Sequence, residues 1–173
     1  MTVVQPHPLL RAPGPHRRLG AVTGRGAARA GAADPPELLH IHIDGASRGN
    51  PGEAGFGIHV TRPDGSEVAG LFGYLGRATN NVAEYQALLH ALRYAIGRGT
   101  RRVRVFSDSE LVVRQMDGVY RVKHPDMVPL HREARALMAR FDDAHLLHVR
   151  REQNREADRL ANQAVDERAS RLD

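Results

Sequence analysis

The chain has 173 residues, with 25 Lys and Arg against 20 Asp and Glu and no cysteine. This length allows one domain with a real core, the lack of cysteine excludes disulfides and thiolate metal sites and fits a reducing, cytoplasmic setting, and no apolar run approaches the ~20 residues of a membrane span. The net charge of +5 comes from the first 33 residues, where Arg11, Arg17, Arg18, Arg25 and Arg29 meet no acid; the remaining 20 basic residues balance 20 acids, so the high pI is no argument for a nucleic-acid partner of the core.

Residues 1–36 hold six of the ten prolines and show no usable periodicity. Such a segment buries too little apolar area to offset its conformational entropy and reads as a disordered leader. It is either an unstructured extension or a basic arm that adds phosphate contacts. The domain is expected over residues 37–170. Three strands come first, at Leu38–Asp44, Gly55–Thr61 and Glu67–Leu75. Their short connections predict an antiparallel meander. The first strand is expected to end in a carboxylate, Asp44. In the run Gly45-Ala-Ser-Arg-Gly-Asn-Pro-Gly52, glycines and a proline then form a tight turn whose N–H groups can approach a ligand. His40 and His42 alternate with Ile41 and Ile43, so they share Asp44's face and read as packed, hydrogen-bonded histidines.

The period then changes. Tyr85, Leu88, Leu89, Leu92 and Ile96 recur at helical spacing, which predicts a helix over Asn81–Ile96 with one buried stripe. Thr79, Asn80 and Asn81 supply its N-cap chemistry. A fourth strand, Arg101–Phe106, runs into Ser107-Asp108-Ser109 and a helix over Ser109–Met116. A loop to Pro129 leads to a helix at Leu130–Phe141, a fifth strand at His145–Val149 and a last helix at Arg155–Arg168. The order β-β-β-α-β-α-α-β-α describes an α/β fold, a mixed sheet with helices packed on it.

Four acids occupy places that solvation explains poorly. Asp44 and Asp108 each close a strand. Glu84 lies in the first turn of the long helix, on the face that looks at the sheet. Asp158 borders the apolar stripe of the last helix. Two strand ends and two helix starts can converge at one rim of a sheet. Four carboxylates together repel one another unless cations neutralise them. Oxygen-only ligands favour Mg²⁺ or Mn²⁺, and two such ions ~3.5–4 Å apart suit an in-line phosphoryl displacement.

Four blocks carry a resemblance: Asp44-Gly-Ala-Ser-Arg-Gly-Asn-Pro-Gly52, Thr79-Asn-Asn-Val-Ala-Glu84-Tyr, Ser107-Asp108-Ser109 and Asn154-Arg-Glu-Ala-Asp158. In this order they resemble the sequence blocks of type 1 ribonuclease H, over roughly Leu38 to Ala169. The resemblance implies a ribonuclease H-like fold: a five-stranded mixed sheet in order 3-2-1-4-5, strands 1–3 antiparallel, helices on both faces. It implies a Mg²⁺-dependent endonuclease that cuts the RNA strand of RNA–DNA hybrids and leaves 5′-phosphate and 3′-hydroxyl ends. Asp44, Glu84, Asp108 and Asp158 are then the catalytic acids that bind two metal ions. Asn50, Asn80 and Asn81 lie along the minor groove, where an amide can both donate to and accept from a 2′-hydroxyl. Gly45, Ser47 and Arg48 contact the same edge through their backbone, and Thr79 with Asn50 holds a phosphate of the DNA strand. Helix capping by Asn80 and Asn81 is compatible with these contacts. The competing reading is a catalytically weak RNA- or hybrid-binding module of the same fold.

Two departures from the pattern stand out. Many relatives carry a histidine in the loop before the last helix, but here Arg150–Asn154 has none. Arg151 is the substitute within reach of a scissile phosphate, or else a surface cation paired with Glu152 or Glu156. Many relatives also have a basic protrusion, whereas here Gly118–Pro129 holds only Arg121, Lys123 and His124. The chain therefore resembles the subgroup without it. That absence keeps double-stranded RNA as a second candidate substrate; a monomer with no membrane partner is the expected assembly.

Overall fold

The computed structural model describes residues 36–173. The leader expected over residues 1–36 therefore lies, up to residue 35, outside the described residues. Ten elements follow: β1 (Leu38–Gly49), β2 (Gly52–Thr61), β3 (Glu67–Ala78), α1 (Asn80–Gly97), β4 (Arg102–Ser107), α2 (Glu110–Met116), α3 (Val128–Met138), β5 (Asp143–His148), a 3₁₀ turn (Arg151–Gln153) and α4 (Arg155–Glu167). One sheet runs β3-β2-β1-β4-β5. β1, β2 and β3 pair antiparallel, and β4 joins β1 and β5 in parallel, so sheet order and strand sense are as expected.

Alternation along β1 sorts its side chains. Leu39, Ile41 and Ile43 are fully buried, in one cluster with Leu88, Leu89 and Leu92 of α1. Each such side chain contributes about 1.5–3 kcal/mol on burial. His42 and Asp44 point to the opposite face, where α4 packs. His42 stacks on Phe106 with ring centroids 4.7 Å apart, packed as expected, but its Nδ1 is buried without the expected hydrogen-bond partner.

The sequence misplaces the end of β1. The strand does not stop at Asp44 but continues to Gly49, because Gly45 through Gly49 pair residue by residue with β2. What ends at Asp44 is the other ladder: β1 pairs with β4 only as far as Ile43–Ser107. The rim of the sheet's central pair thus falls where expected, for a different reason.

The tight turn falls at Gly49–Gly52, and Gly45 and Gly57 serve helix packing. A Cβ on Gly45 would lie 2.4 Å from the Glu84 backbone nitrogen, and one on Gly57 would lie 2.1 Å from the Ala157 carbonyl oxygen. Their absence brings α1 and α4 directly onto opposite faces of the β1–β2 pair. Smaller differences have simple causes. α3 begins at Val128 because Pro129 fits a first helical turn, and β5 begins at Asp143, which Arg104 of β4 holds at 2.9 Å.

The outer strand β3 is covered along part of its free edge. Phe72 and Arg171 exchange backbone hydrogen bonds of 2.9 and 2.8 Å. Tyr74 N–H donates to Ser170 Oγ at 3.0 Å, and the Arg171 guanidinium lies 5.1 Å from the Phe72 ring centroid. Among the described residues, no helix is long and apolar enough to cross a membrane.

Candidate active site

Asp44 reaches the rim from β1, and Asp108 follows the last residue of β4. Ser109 caps α2 by accepting from Val112 N–H at 3.3 Å, so Asp108 is not the cap and its carboxylate is left for the rim. Glu84 comes from α1. With that helix starting at Asn80 and capped by Thr79, Glu84 lies in the second turn rather than the first, and it is only 3% exposed. Asp44, Glu84 and Asp108 each place a carboxylate oxygen within 4.8 Å of the other two. Asp158 of α4 lines the same open cavity of about 640 Å³ and acts electrostatically on Asp44.

The electrostatics follow from burial. Desolvation pushes the Asp44 pKa well above the usual carboxylate range, and Glu84, Asp108 and Asp158 push it further. Desolvation and then Asp108 raise Glu84, against a smaller opposing effect of Gly45 and Asp44. No cation is among the groups acting on either acid. The Glu84 Oε2 atom is buried without a hydrogen-bond partner. An all-oxygen set with uncompensated charge and an orphaned oxygen fits a hard divalent cation.

The other expected residues divide. Gly45, Ser47, Asn80 and Arg151 line the cavity with the acids. Arg48 does not: its guanidinium pairs with Asp166 of α4. The Ser47 hydroxyl is committed to the Gly49 and Ala78 carbonyls. Asn50 Oδ1 accepts from Asn80 N–H at 3.2 Å, which ties the β1–β2 turn to the start of α1. Thr79 caps α1 and, with Pro51 and Arg77, lines a second cavity of about 620 Å³ on the α3 side. Asn81 borders neither cavity.

Sequence reasoning missed Asn154. It is 1% exposed, and its Nδ2 donates to the Ile43 carbonyl at 2.8 Å while its own carbonyl accepts from Asp158 N–H at 3.1 Å. Asn154 thereby links the residue before Asp44, through its side chain, to the helix turn that carries Asp158, through its backbone carbonyl. Its place just before α4 was the available signal. His148, Arg150, Glu152 and Asn162 were also not anticipated as cavity residues. Asn162 lies one turn after Asp158 and donates to its carbonyl at 2.9 Å.

A mixed sheet in this order, with helices on both faces and buried carboxylates at the rim of its central pair, defines a ribonuclease H-like domain. The family profile described as Reverse transcriptase-like matches residues 42–164. The bifunctional protein Rv2228c of Mycobacterium tuberculosis is 48% identical over 127 residues, covering 73% of this chain and 35% of that protein. Ribonuclease HI of Halobacterium salinarum is 43% identical over 129 residues, 75% of this chain and 65% of that protein. The chain thus spans between about one third and two thirds of the length of these curated relatives. The solved RNase H1 of H. salinarum superimposes with a TM-score of 0.73 at 43% identity, covering 75% of this chain and 98% of that one. LC11-RNase H1, solved in complex with an RNA/DNA hybrid, gives 0.72 at 40% identity, covering 75% and 98%. The chain belongs to the Reverse transcriptase-like family and, within it, to the type 1 ribonucleases H.

The raised carboxylates set a pH dependence. A group whose folded pKa lies above its unfolded value contributes stability below the unfolded value and loses it as pH rises through the folded one. Without metal, the thermal midpoint is therefore expected to fall as pH climbs from about 4, the unfolded carboxylate range, through the raised values of Asp44 and Glu84. Melting curves in a chelator and in Mg²⁺ check this, and Mg²⁺ should flatten the decline.

Proposed function

We propose that residues 37–170 form a catalytic domain that hydrolyses the RNA strand of RNA–DNA hybrids. The observation that carries this reading is the convergence, with no cation acting on the buried pair, of buried Asp44 and Glu84 with half-buried Asp108, and Asp158 on the same cavity. The fold is shared with an RNase H1 solved with such a hybrid. The four acids would hold two Mg²⁺ ions, with Mn²⁺ as a substitute. Bound there, the ions would supply Lewis acidity, an activated water and neutralisation of the phosphate charge.

The chain's own residues do the rest. Asn80 presents an amide at the cavity wall, able to donate to and accept from a 2′-hydroxyl. The Gly45 and Ser47 backbone lies beside it, with Asn81 one position along α1. Asn50 orients Asn80, and Thr79 holds the helix start. Arg151 lines the cavity and offers a fixed positive charge to the scissile phosphate. It cannot serve as a base at neutral pH. The products carry 5′-phosphate and 3′-hydroxyl ends. The connection between α2 and α3, Asp117–Met127, holds no helix, which keeps double-stranded RNA in the substrate panel. The domain is read as a cytoplasmic monomer.

Labelled duplexes test this: RNA–DNA hybrid, RNA–RNA, DNA–DNA and DNA with a single ribonucleotide, each with Mg²⁺, Mn²⁺ or chelator. Metal-dependent cutting of the hybrid's RNA strand is expected. Binding without cleavage would instead indicate a hybrid-binding module.

A further inference from the structure

Tyr85 follows Glu84 and is fully buried, yet it carries a hydroxyl. That hydroxyl donates to Gln115 Oε1 of α2 at 2.7 Å, and Gln115 is itself 3% exposed. The Gln115 backbone carbonyl accepts from His131 Nε2–H of α3 at 3.1 Å. The His131 ring meets Tyr85 edge-on, with centroids 6.4 Å apart. One polar chain therefore runs through the core from α1 to α2 to α3.

An apolar pair would fill this space without desolvating a hydroxyl and an amide. What a hydrogen bond adds is a defined length and direction, while apolar surfaces slide past one another. One end of the Tyr85–Gln115 bond lies on the helix that carries Glu84, the other on the helix that begins just after Asp108. Glu84 precedes Tyr85 on α1. Asp108 stands two residues before α2, a helix of seven residues with little buried surface of its own beyond Val112 and Val113. Fixing α2 against α1 fixes where the chain leaving β4 presents Asp108.

We infer that the Tyr85–Gln115–His131 network sets the separation of the Glu84 and Asp108 carboxylates, making Tyr85 a positioning residue for the metal-binding cluster. This rests on the nuclease reading above. Tyr85→Phe is expected to raise the Mg²⁺ concentration for half-maximal hybrid cleavage about 10-fold, the usual scale for a group acting behind metal ligands, with the KM for hybrid unchanged. Calorimetric titration of Mn²⁺ into the protein alone should show the same weakening.

The double variant Tyr85→Phe/Gln115→Met removes both polar partners and leaves no orphaned amide. It should recover the thermal midpoint but keep the metal defect. Val60→Ala, a core change on β2, should lower the midpoint and leave the metal requirement unaltered. Wild-type metal dependence in the folded double variant would overturn the proposal, as would the same metal defect in Val60→Ala. If the wild type cleaves no hybrid with any metal, the nuclease reading fails, and the calorimetric comparison alone then decides the network's role.

Discussion

Asp44→Asn is expected to abolish hybrid cleavage and, without metal, to make the domain more stable. Both effects come from one geometry. Asp44 is 6% exposed and close to three other carboxylates, with no cation among the groups acting on it. Removing its charge relieves repulsion and desolvation, and Asn fills nearly the same volume. At neutral pH a gain of about 1–3 kcal/mol is expected, because the amide is neutral where the buried carboxyl must either hold an unpaired charge or take up a proton, which raises the midpoint of a domain this size by several degrees. The same change removes a carboxylate from the metal cluster, and cleavage should fall about 10³-fold or more. Mg²⁺ should raise the midpoint of the wild type more than that of the variant. Melting curves in chelator and in Mg²⁺, alongside a cleavage assay, check both halves. An unchanged midpoint in chelator would contradict the electrostatics, and retained cleavage would contradict the role of Asp44.

Gly57→Ala is expected to be among the most damaging single-methyl changes in the sheet. Its Cβ would stand 2.1 Å from the Ala157 carbonyl and 2.4 Å from the Ala161 nitrogen, both backbone atoms of α4. No side-chain rotamer relieves such a contact, so the helix has to move. A loss of ~4 kcal/mol or more is expected, at the extreme of single substitutions. Because Ala157 precedes Asp158, any variant that still folds should also lose activity. Gly65→Ala is the control, since nothing lies within 4 Å of its Cβ, although its φ of +88° adds a modest local strain. Circular dichroism melts of the two variants separate the effects.

These glycines show what the sequence made legible and what it hid. Helix positions and the placing of the four acids follow from alternation and helical period, which are local signals, while the strand order comes only with the resemblance of the four blocks. The reason for Gly45 and Gly57 follows from neither. A glycine that admits a helix and one that admits a phosphate look alike until the helix is placed, so β1 reads as ending five residues early. Arg48 is a similar case. Its charge is visible in the chain, but its partner Asp166 lies over a hundred positions away. Asn154 was hidden because its value lies in reaching Ile43 of another element. Glu84's place in the second turn depended on one residue: helix bounds shift with the cap, and the N-cap is Thr79, not Asn80 or Asn81.

The short pairing of Phe72 with Arg171 has a consequence for self-association. An outer antiparallel strand left bare is a template on which a second molecule can add its own strand, the first step toward ordered aggregates. Here the residues just beyond α4 occupy part of that template. A chain cut back to Glu167 would keep every carboxylate of the site, and what it would lose is protection from its neighbours in a concentrated solution.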